Sequence, residues 1–227
     1  KSKCKLTRYI LIFYKKGNDM YIPKATLTTD QDEIVAFMKE YSFATLITSR
    51  DNIPVASHLP FTISRRDSQL ILSSHFAKAN NQWKDIENHK IVVVFSEPHA
   101  YISTKNYEKV LNVPTWNYIS IHAYGDGKII HDRENTFALL ENMMENYEPA
   151  FRTDWNSFPD DYKLNMAAGI VAFEIVVTDL QGKMKLSQNR SEAEQQHIIY
   201  TLSESSHSNE KTIAEYMIKN LGKSQRK

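Results

Sequence analysis

The sequence predicts an α+β fold in which roughly six antiparallel strands close a small barrel and helices complete the chain. Apolar and β-branched runs between residues 43 and 74 are separated by short polar turns, as in an antiparallel meander. Residues Ile91–Phe95 (IVVVF) form a continuous apolar strand. Helical spacing of apolar residues occurs on both sides of this strand-rich region. Together these observations favour a mainly β core flanked by helices.

Each predicted strand is a short run rich in β-branched or aromatic residues that ends at polar or glycine residues. One strand contains Gly125 and Gly127, where we expect a bulge or a tight bend because glycine interrupts regular pairing. The strands are enough to close a barrel. They are predicted at 43–49, 53–63, 69–74, 91–95, 116–130 and 170–177.

Capping residues mark where the main helices begin. Asp30 with Glu33 forms a capping pair before an apolar i, i+3, i+4, i+7 pattern, and Ser191 with Glu194 forms a second one. Asp132 is the expected N-cap of a third helix. Shorter or later stretches of helical spacing lie at 80–88, 162–167 and 213–221.

The composition is that of an ordinary globular protein and excludes several function classes. The chain has 227 residues with 41% hydrophobic and 24% charged, enough to bury its own core. A formal net charge of +1 gives no overall attraction to nucleic acid or an anionic membrane. The single cysteine, Cys4, excludes an intrachain disulfide and cysteine-based zinc motifs, and indicates a reducing cytoplasm. Gly125 and Gly127 lack the third glycine of a dinucleotide fingerprint, and there is no P-loop lysine motif.

Three segments are predicted along the chain. Residues 1–19 are lysine-rich and without a clear period, so we expect a leader or a non-native extension, with the native chain starting at Met20; the alternative is a genuine N-terminal strand. Residues 20–180 form the barrel domain, and 181–227 form a helical segment packed on the barrel. The apolar run at 9–14 is too short for a membrane span.

The stretch 73–80 (SSHFAKAN) is a candidate anion site. It combines the hydroxyls of Ser73 and Ser74, the charge of Lys78 and the free N–H groups at a predicted helix start near Asn80. Such donors suit the phosphate of a phosphorylated cofactor. The alternative is a plain helix cap beside a solvated lysine.

The stretch 185–190 (KLSQNR) follows the last strand and is rich in amide and cationic donors. These donors suit the carbonyl and ring-nitrogen edge of a heteroaromatic ligand, although a surface loop before the Ser191 cap has the same composition. Trp83, Trp116 and Tyr118 are candidates for shaping a ligand pocket, with packing in the aromatic core as the alternative.

Four histidines lie on or beside predicted strands, where a barrel could bring them to one cleft: His58, His75, His99 and His122. The alternative for each is a hydrogen-bonded packing residue. A metal or haem site among them is therefore a minor hypothesis.

Six separated motifs occur in order along the chain. They are MYIP at 20–23, ASHLP at 56–60, HFAKANNQW at 75–83, PHAYIS at 98–103, VPTWNY at 113–118 and KLSQNR at 185–190. Together they closely resemble the PaiB family of bacterial proteins, from Met20 to about Leu221.

The resemblance implies an FMN-binding split β-barrel, related to pyridoxamine phosphate oxidases and flavin reductases. It also implies a homodimer with cofactor sites at the subunit interface, and a role as a negative transcriptional regulator affecting protease production and sporulation. Asn117 and Tyr118 are expected to reach across the dimer. The full set of predicted cofactor-binding residues is Ser57, His58, Ser73, Ser74, His75, Lys78, Asn80, Asn117, Tyr118, Lys185, Gln188, Asn189 and Arg190.

Two functions follow from these expectations. The first is a regulator that binds FMN and acts through a protein partner or DNA, and the second is a flavin-dependent oxidoreductase. Direct DNA binding has little support in the last predicted helix, because 213–221 and the residues before it carry acidic and basic side chains in mixture. A haem-binding protein is the third and least supported alternative.

Overall fold

The computed structural model describes residues 20–224, so the predicted leader at 1–19 lies outside the described residues. Within this range the chain forms nine strands and six α-helices. The strands are β1 (Leu27–Thr28), β2 (Phe43–Arg50), β3 (Ile53–Pro60), β4 (Thr62–Arg66), β5 (Gln69–Ala77), β6 (Ile91–Phe95), β7 (His99–Ile102), β8 (Thr115–Ile129) and β9 (Ile170–Lys185). The α-helices are α1 (Gln31–Glu40), α2 (Arg133–Tyr147), α3 (Phe151–Ser157), α4 (Asp160–Ala168), α5 (Glu192–Ser203) and α6 (Ser208–Ser224).

All strands belong to one antiparallel sheet with the order β3-β2-β6-β8-β9-β5-β4. The two outermost strands, β3 and β4, are consecutive in the chain and separated only by Phe61. The sheet therefore curls until its edges meet, which confirms the predicted antiparallel barrel and its α+β class.

The strand count exceeds the predicted six for two physical reasons. The run predicted at 53–63 divides at Phe61, because its two halves pair with β2 and with β5. In addition, β1 has only two residues, and β7 lies in a stretch with few β-branched residues, so neither produces a periodic signal. β1 pairs with β9, and β7 pairs with β8.

The core fills the barrel with side chains from alternate strand positions. In β6, Ile91, Val93 and Phe95 are at most 1% exposed, whereas Val92 and Val94 lie on the outer face and are half-buried. The continuous apolar run in the sequence therefore has two faces. One packs into the barrel, and the other leaves a broad apolar surface across the outside of the sheet.

The three predicted helix caps are confirmed. Asp30 Oδ1 accepts hydrogen bonds from the backbone N–H groups of Asp32 and Glu33, at 3.1 and 3.2 Å. Asp132 caps α2 through Asn135 N–H at 2.9 Å, and Ser191 caps α5 through Glu194 N–H at 3.2 Å. Helix α1 then buries Ile34, Phe37 and Met38 against the barrel.

Two boundaries differ from the sequence prediction. The helical spacing at 80–88 becomes a short 3₁₀ helix, Asn81–Asp85, capped by Asn80. The domain boundary predicted at residue 180 falls inside β9, which continues to Lys185 before the two C-terminal helices. No helix within residues 20–224 is long and apolar enough to cross a membrane.

The predicted bulge is confirmed, because the pairing of β8 with β9 shifts register between Tyr124 and Gly125. A Cβ on Gly125 would lie 2.5 Å from both Ile175 Cγ2 and the carbonyl oxygen of Val176, so the strands can approach only because residue 125 has no side chain.

We expect Gly125→Ala to lower the free energy of unfolding by about 1–3 kcal/mol, the usual cost of overpacking. The matched control is Gly222→Ala in α6, where a Cβ meets no atom within 4 Å. That change should raise stability by up to about 1 kcal/mol, because alanine is the better helix former. Urea unfolding followed by circular dichroism measures both, and equal effects would contradict the role given to Gly125.

Candidate functional site

The predicted residues of β3 and β5 divide between the two faces of the sheet. Ser57 lies opposite Leu46, a core residue, whereas the next residue, His58, lies opposite Thr45 and faces outward. Side chains of successive strand residues point to opposite faces, so Ser57 and His58 cannot contact one ligand from the same side. His58 is exposed, and its ring stacks beside Phe43 at a centroid distance of 6.5 Å.

The same alternation separates the two serines of β5. Ser74 has no exposed surface, and its hydroxyl donates to the carbonyl oxygen of Pro60 at 2.7 Å. Ser73 points to the other face and is 9% exposed. Ser74 is therefore a structural residue of the barrel interior, and only Ser73 lies on the face that it shares with His75.

At one end of the barrel, Ser57 and Asn80 meet at the side chain of Gln82. Ser57 Oγ donates to Gln82 Oε1 at 2.6 Å and accepts from Asn80 Nδ2 at 2.9 Å. Gln82 Nε2 donates to the carbonyl oxygen of Val55 at 2.9 Å and to Thr48 Oγ1 at 3.1 Å. This network closes the barrel end and fixes the loop after β5.

Gln82 does not appear in the predicted site, although it organises it. Its side chain is 3% exposed, and a buried amide must find hydrogen-bond partners. The sequence signal was the polar residue inside the otherwise apolar helical spacing of 80–88. Only the strand register, however, shows that its partners come from β2 and β3.

Hydrogen bonds of its backbone hold Lys78 in place, whereas its side chain is exposed to solvent. Its N–H donates to the carbonyl oxygen of Gly169 at 2.8 Å, and its own carbonyl oxygen accepts from Trp83 Nε1 at 3.2 Å. The side chain is exposed and makes no ion pair with any carboxylate in residues 20–224. A fixed backbone with a free cation, next to the Ser57–Asn80–Gln82 network, can bind a small anion.

His75 lies on the outer side of β5, opposite Ala172 of β9. Its Nδ1 is buried and has no hydrogen-bond partner among residues 20–224. Burial also lowers the pKa of this imidazole, because the charged form would be desolvated. His75 thus favours its neutral form, and its unpaired Nδ1 is closed to solvent.

The predicted residues on β8 and after β9 are mostly used within the protein. Asn117 has no exposed surface, and its Nδ2 donates to Ser187 Oγ at 3.0 Å. Gln188 folds back onto the backbone, with Nε2 donating to the carbonyl oxygen of Met184 at 2.5 Å. Arg190 covers the Tyr107 ring at 3.7 Å and donates to Asn112 Oδ1 at 2.8 Å. These three side chains therefore make contacts within the protein, and Asn117 has no exposed surface for a ligand.

The other three predicted residues in this region keep solvent contact. Asn189 is exposed, and Tyr118 and Lys185 are half-buried on the outer face of the sheet. Tyr118 and Lys185 lie directly opposite each other in the pairing of β8 with β9. Asn117, which was expected to reach across a dimer, is too deeply buried to do so.

The four strand histidines do not form one cluster. His58 lies on β3, His75 on β5, His99 on β7 and His122 on β8, and no group of three or more His, Cys, Asp or Glu side chains within 20–224 could hold a metal ion. The nearest partner of His99 is Glu97, at 3.8 Å. The structure therefore provides no geometry for the minor metal hypothesis in this range.

Comparison with known proteins identifies the family. A family described as "Putative FMN-binding domain" matches residues 20–179. The Bacillus subtilis (strain 168) "Protease synthase and sporulation protein PAI 2" is 37% identical over 207 residues, which cover 90% of this chain and 99% of that protein. The chain belongs to the PaiB family. This result confirms the resemblance seen in the six motifs, and the family match confirms FMN as the predicted cofactor.

Solved structures support the fold of this PaiB-family chain. The flavocytochrome Anf3 from Azotobacter vinelandii has a TM-score of 0.55 at 16% identity, covering 70% of this chain and 69% of that one. The FAD and haem binding protein from Mycobacterium smegmatis has a TM-score of 0.54 at 14% identity, covering 70% and 73%. At such identities the likeness concerns the fold, and it confirms the split barrel.

Two half-buried histidines predict a pH dependence of stability in this PaiB-family protein. Burial lowers the pKa of both His75 and His122 in the folded chain. The unfolded chain therefore takes up protons first as pH falls, so the stability is complete above about pH 6.5 and decreases below it.

The urea midpoint should therefore be lower at about pH 5.5 than at about pH 7.5. In the double variant His75→Gln, His122→Gln this difference should shrink. His131→Gln changes an exposed histidine and should keep the full difference. A double variant with unchanged pH dependence would show that neither histidine is responsible.

Proposed function

We propose that this PaiB-family protein holds FMN as a homodimer and acts as a flavin-dependent regulator, with the FMN phosphate bound at Lys78. The observation that carries the proposal is the exposed side chain of Lys78, two residues before Asn80 of the Ser57–Asn80–Gln82 network. The family match supplies the cofactor. When bound, FMN supplies reversible one- and two-electron chemistry at its ring.

The chain's own residues give each part of the phosphate site a role. Lys78 contributes a full positive charge, and a charge-assisted hydrogen bond to phosphate is about twice as strong as a neutral one. Asn80 fixes the loop, because its Oδ1 accepts from Gln82 N–H at 3.0 Å while its Nδ2 donates to Ser57. Ser73 and His75 lie on the adjoining outer face of β5 and border the same edge.

The proposed homodimer is supported by the apolar outer face of the sheet. Phe43 on β2 is 68% exposed, and Val92 and Val94 of β6 pair with Ile47 and Thr45 of β2 on the same outer face. A contiguous apolar surface of this kind is typical of a protein interface. A second copy is the occupant we propose, since the same face on both subunits would form a closed two-fold contact.

The regulatory role is supported by similarity to the PAI 2 protein, whose name refers to protease synthesis and sporulation. Direct DNA reading by the C-terminal helices has little support, because Lys219 and Lys223 of α6 both contact Glu33 and acidic side chains alternate with basic ones along that helix. We therefore propose that the protein acts through a protein partner. A cytoplasmic location stays a prediction.

Lys78→Ala is expected to weaken FMN binding by about tenfold or more, roughly the contribution of one charge-assisted hydrogen bond. Quenching of FMN fluorescence in a titration of the flavin-free protein measures the dissociation constant. Lys78→Arg should retain most of the affinity, and Lys211→Ala, which changes another exposed lysine, should retain all of it. Equal affinities for Lys78→Ala and Lys211→Ala would contradict the phosphate assignment.

Phe43→Asp is expected to convert the dimer to a monomer, because it places a charge in the proposed apolar contact. Tyr200→Asp on α5 is the matched control, since both side chains are 68% exposed. Sedimentation equilibrium measures the mass of each variant. A wild-type protein that sediments as a single chain would overturn the dimer and leave the Lys78 test unaffected.

The rate of NADPH consumption distinguishes the proposed regulator from the alternative function, a flavin-dependent oxidoreductase. A regulator should hold its flavin without catalysing continuous NADPH consumption, whereas a flavin reductase consumes NADPH as long as an acceptor is supplied. The measurement is NADPH oxidation at several enzyme concentrations in the presence of free FMN. Turnover proportional to the amount of protein would favour the oxidoreductase.

A further inference from the structure

The three helices between β8 and β9 enclose a cavity of their own. Its volume is about 350 Å³, at the lower end of the range for small-molecule sites. We call it the helical cavity, and its lining residues come from α2, α3 and α4: Phe137, Glu141, Trp155, Asp160, Lys163 and Leu164. None of these six residues belongs to the predicted cofactor-binding set. The helical cavity is therefore a separate space from the proposed flavin site.

Aromatic and aliphatic side chains form the wall of the helical cavity. Trp155 is 6% exposed, and its ring centre lies 6.4 Å from that of Phe137 and 6.2 Å from that of Phe158. Phe158 in turn stands edge-on to Tyr162, with centroids 5.4 Å apart. Rings packed in this way hold the indole in one orientation. With Leu164 beside it, the wall suits a ligand that has an apolar or aromatic body.

Lys163 brings a cation to this wall. Its Nζ lies 5.6 Å from the centre of the Trp155 ring and donates to the carbonyl oxygen of Asn156 at 3.5 Å. A ring face and a carbonyl oxygen orient the ammonium but do not neutralise it. Lys163 makes no ion pair with a carboxylate in the part of the chain that the structure describes. The half-buried side chain thus keeps N–H donors for an anionic group.

Asp160 brings the opposite charge to the same cavity. It is three positions before Lys163 on α4, a spacing at which acidic and basic side chains commonly pair. Within residues 20–224, however, Asp160 forms no ion pair with Lys163 or with any other cation. Glu141 differs, because Arg152 donates to it at 2.9 Å. The cavity therefore presents one carboxylate and one ammonium that are not used by each other.

The charge of the surrounding helices restricts which ligand fits. Residues 132–168 carry eight carboxylates and three cationic side chains, whereas the whole chain has a net charge of +1. A ligand with a negative charge alone would be repelled by this acidic region, and one with a positive charge alone would meet the ammonium of Lys163. A ligand that carries both charges satisfies Asp160 and Lys163 together.

We propose that the helical cavity binds a free α-amino acid with an apolar side chain. Its carboxylate contacts Lys163, its ammonium contacts Asp160, and its side chain packs against Phe137 and Trp155. Side chains three positions apart on a helix begin about 5–6 Å from each other, so two groups on one α-carbon can reach both. The site goes beyond the proposed function, because it involves neither FMN nor Lys78.

Binding can be located on the purified full chain by fluorine NMR after labelling with 5-fluorotryptophan. The chain has three tryptophans, Trp83, Trp116 and Trp155, and Trp155→Phe assigns the signal of the third. L-Phenylalanine should shift the Trp155 signal and leave the other two in place. An unchanged Trp155 signal, or a shift of the Trp83 or Trp116 signal alone, would overturn the proposal.

Three further probes test which groups of the ligand are recognised. 2-Phenylethylamine lacks the carboxylate, 3-phenylpropionate lacks the ammonium, and L-serine lacks the apolar body. Each should bind at least about tenfold more weakly than L-phenylalanine, because the first two lose a charge-assisted hydrogen bond and the third loses the apolar contact. If the amine or the acid binds as tightly as L-phenylalanine, the ligand is not an amino acid and the assignment is wrong.

Crossed variants assign the two charges. Lys163→Met should weaken L-phenylalanine by about tenfold without weakening 2-phenylethylamine, and Asp160→Asn should weaken L-phenylalanine by about tenfold without weakening 3-phenylpropionate. Asp161→Asn is the matched control for the carboxylate, since Asp161 is the next residue, is exposed and does not line the cavity. Lys211→Met is the control for the lysine. Equal affinities for Asp160→Asn and Asp161→Asn would contradict the site.

The FMN content of the same variants separates this proposal from the flavin site. Lys163→Met and Asp160→Asn should both retain FMN, and Lys78→Ala should retain binding of L-phenylalanine. Loss of FMN in both cavity variants would overturn the helical cavity as a separate site. Failure of the Lys78 assignment alone leaves the helical cavity intact.

Discussion

The two edges of the sheet join where β3 passes into β4 at Phe61. The ring of Phe61 has no exposed surface and meets Phe95 and Phe173, and its N–H donates to the carbonyl oxygen of Ser42 at 2.9 Å. Once this junction closes the barrel, every strand has one face inside and one outside. Whether a side chain can reach a ligand outside the barrel then depends on which face of the strand it is on, and successive residues alternate between the two faces. Ser74 points inward and is therefore not on the surface.

The barrel could be predicted because its signals are local. Polar turns, β-branched runs and the caps at Asp30, Asp132 and Ser191 depend on residues within a few positions of each other. The bulge at Gly125 could be predicted for the same reason, because its signal is the glycine itself. The division of 53–63 into two strands could not be predicted, because it depends on β2 and β5 competing for one continuous run, and β7 is defined only by its pairing with β8.

The site residues were harder to predict because their availability depends on distant partners. Asn117 and Ser187 are seventy positions apart and hydrogen-bond each other in the interior. Arg190 resembles a free donor in the sequence, yet the ring of Tyr107 and the amide of Asn112 hold it. Composition identifies which donors exist, whereas only the fold shows which ones remain unused. Lys78 and Lys185 are among the predicted residues whose charge has no carboxylate partner in residues 20–224.

β9 connects two regions where charge is left uncompensated. Its first half pairs with β5 beside His75, and its second half carries Lys183 and Lys185. Thirteen residues of strand span about 40 Å when straight, and the shift at Gly125 turns the sheet between the two halves. One small ligand therefore cannot contact both regions within a subunit.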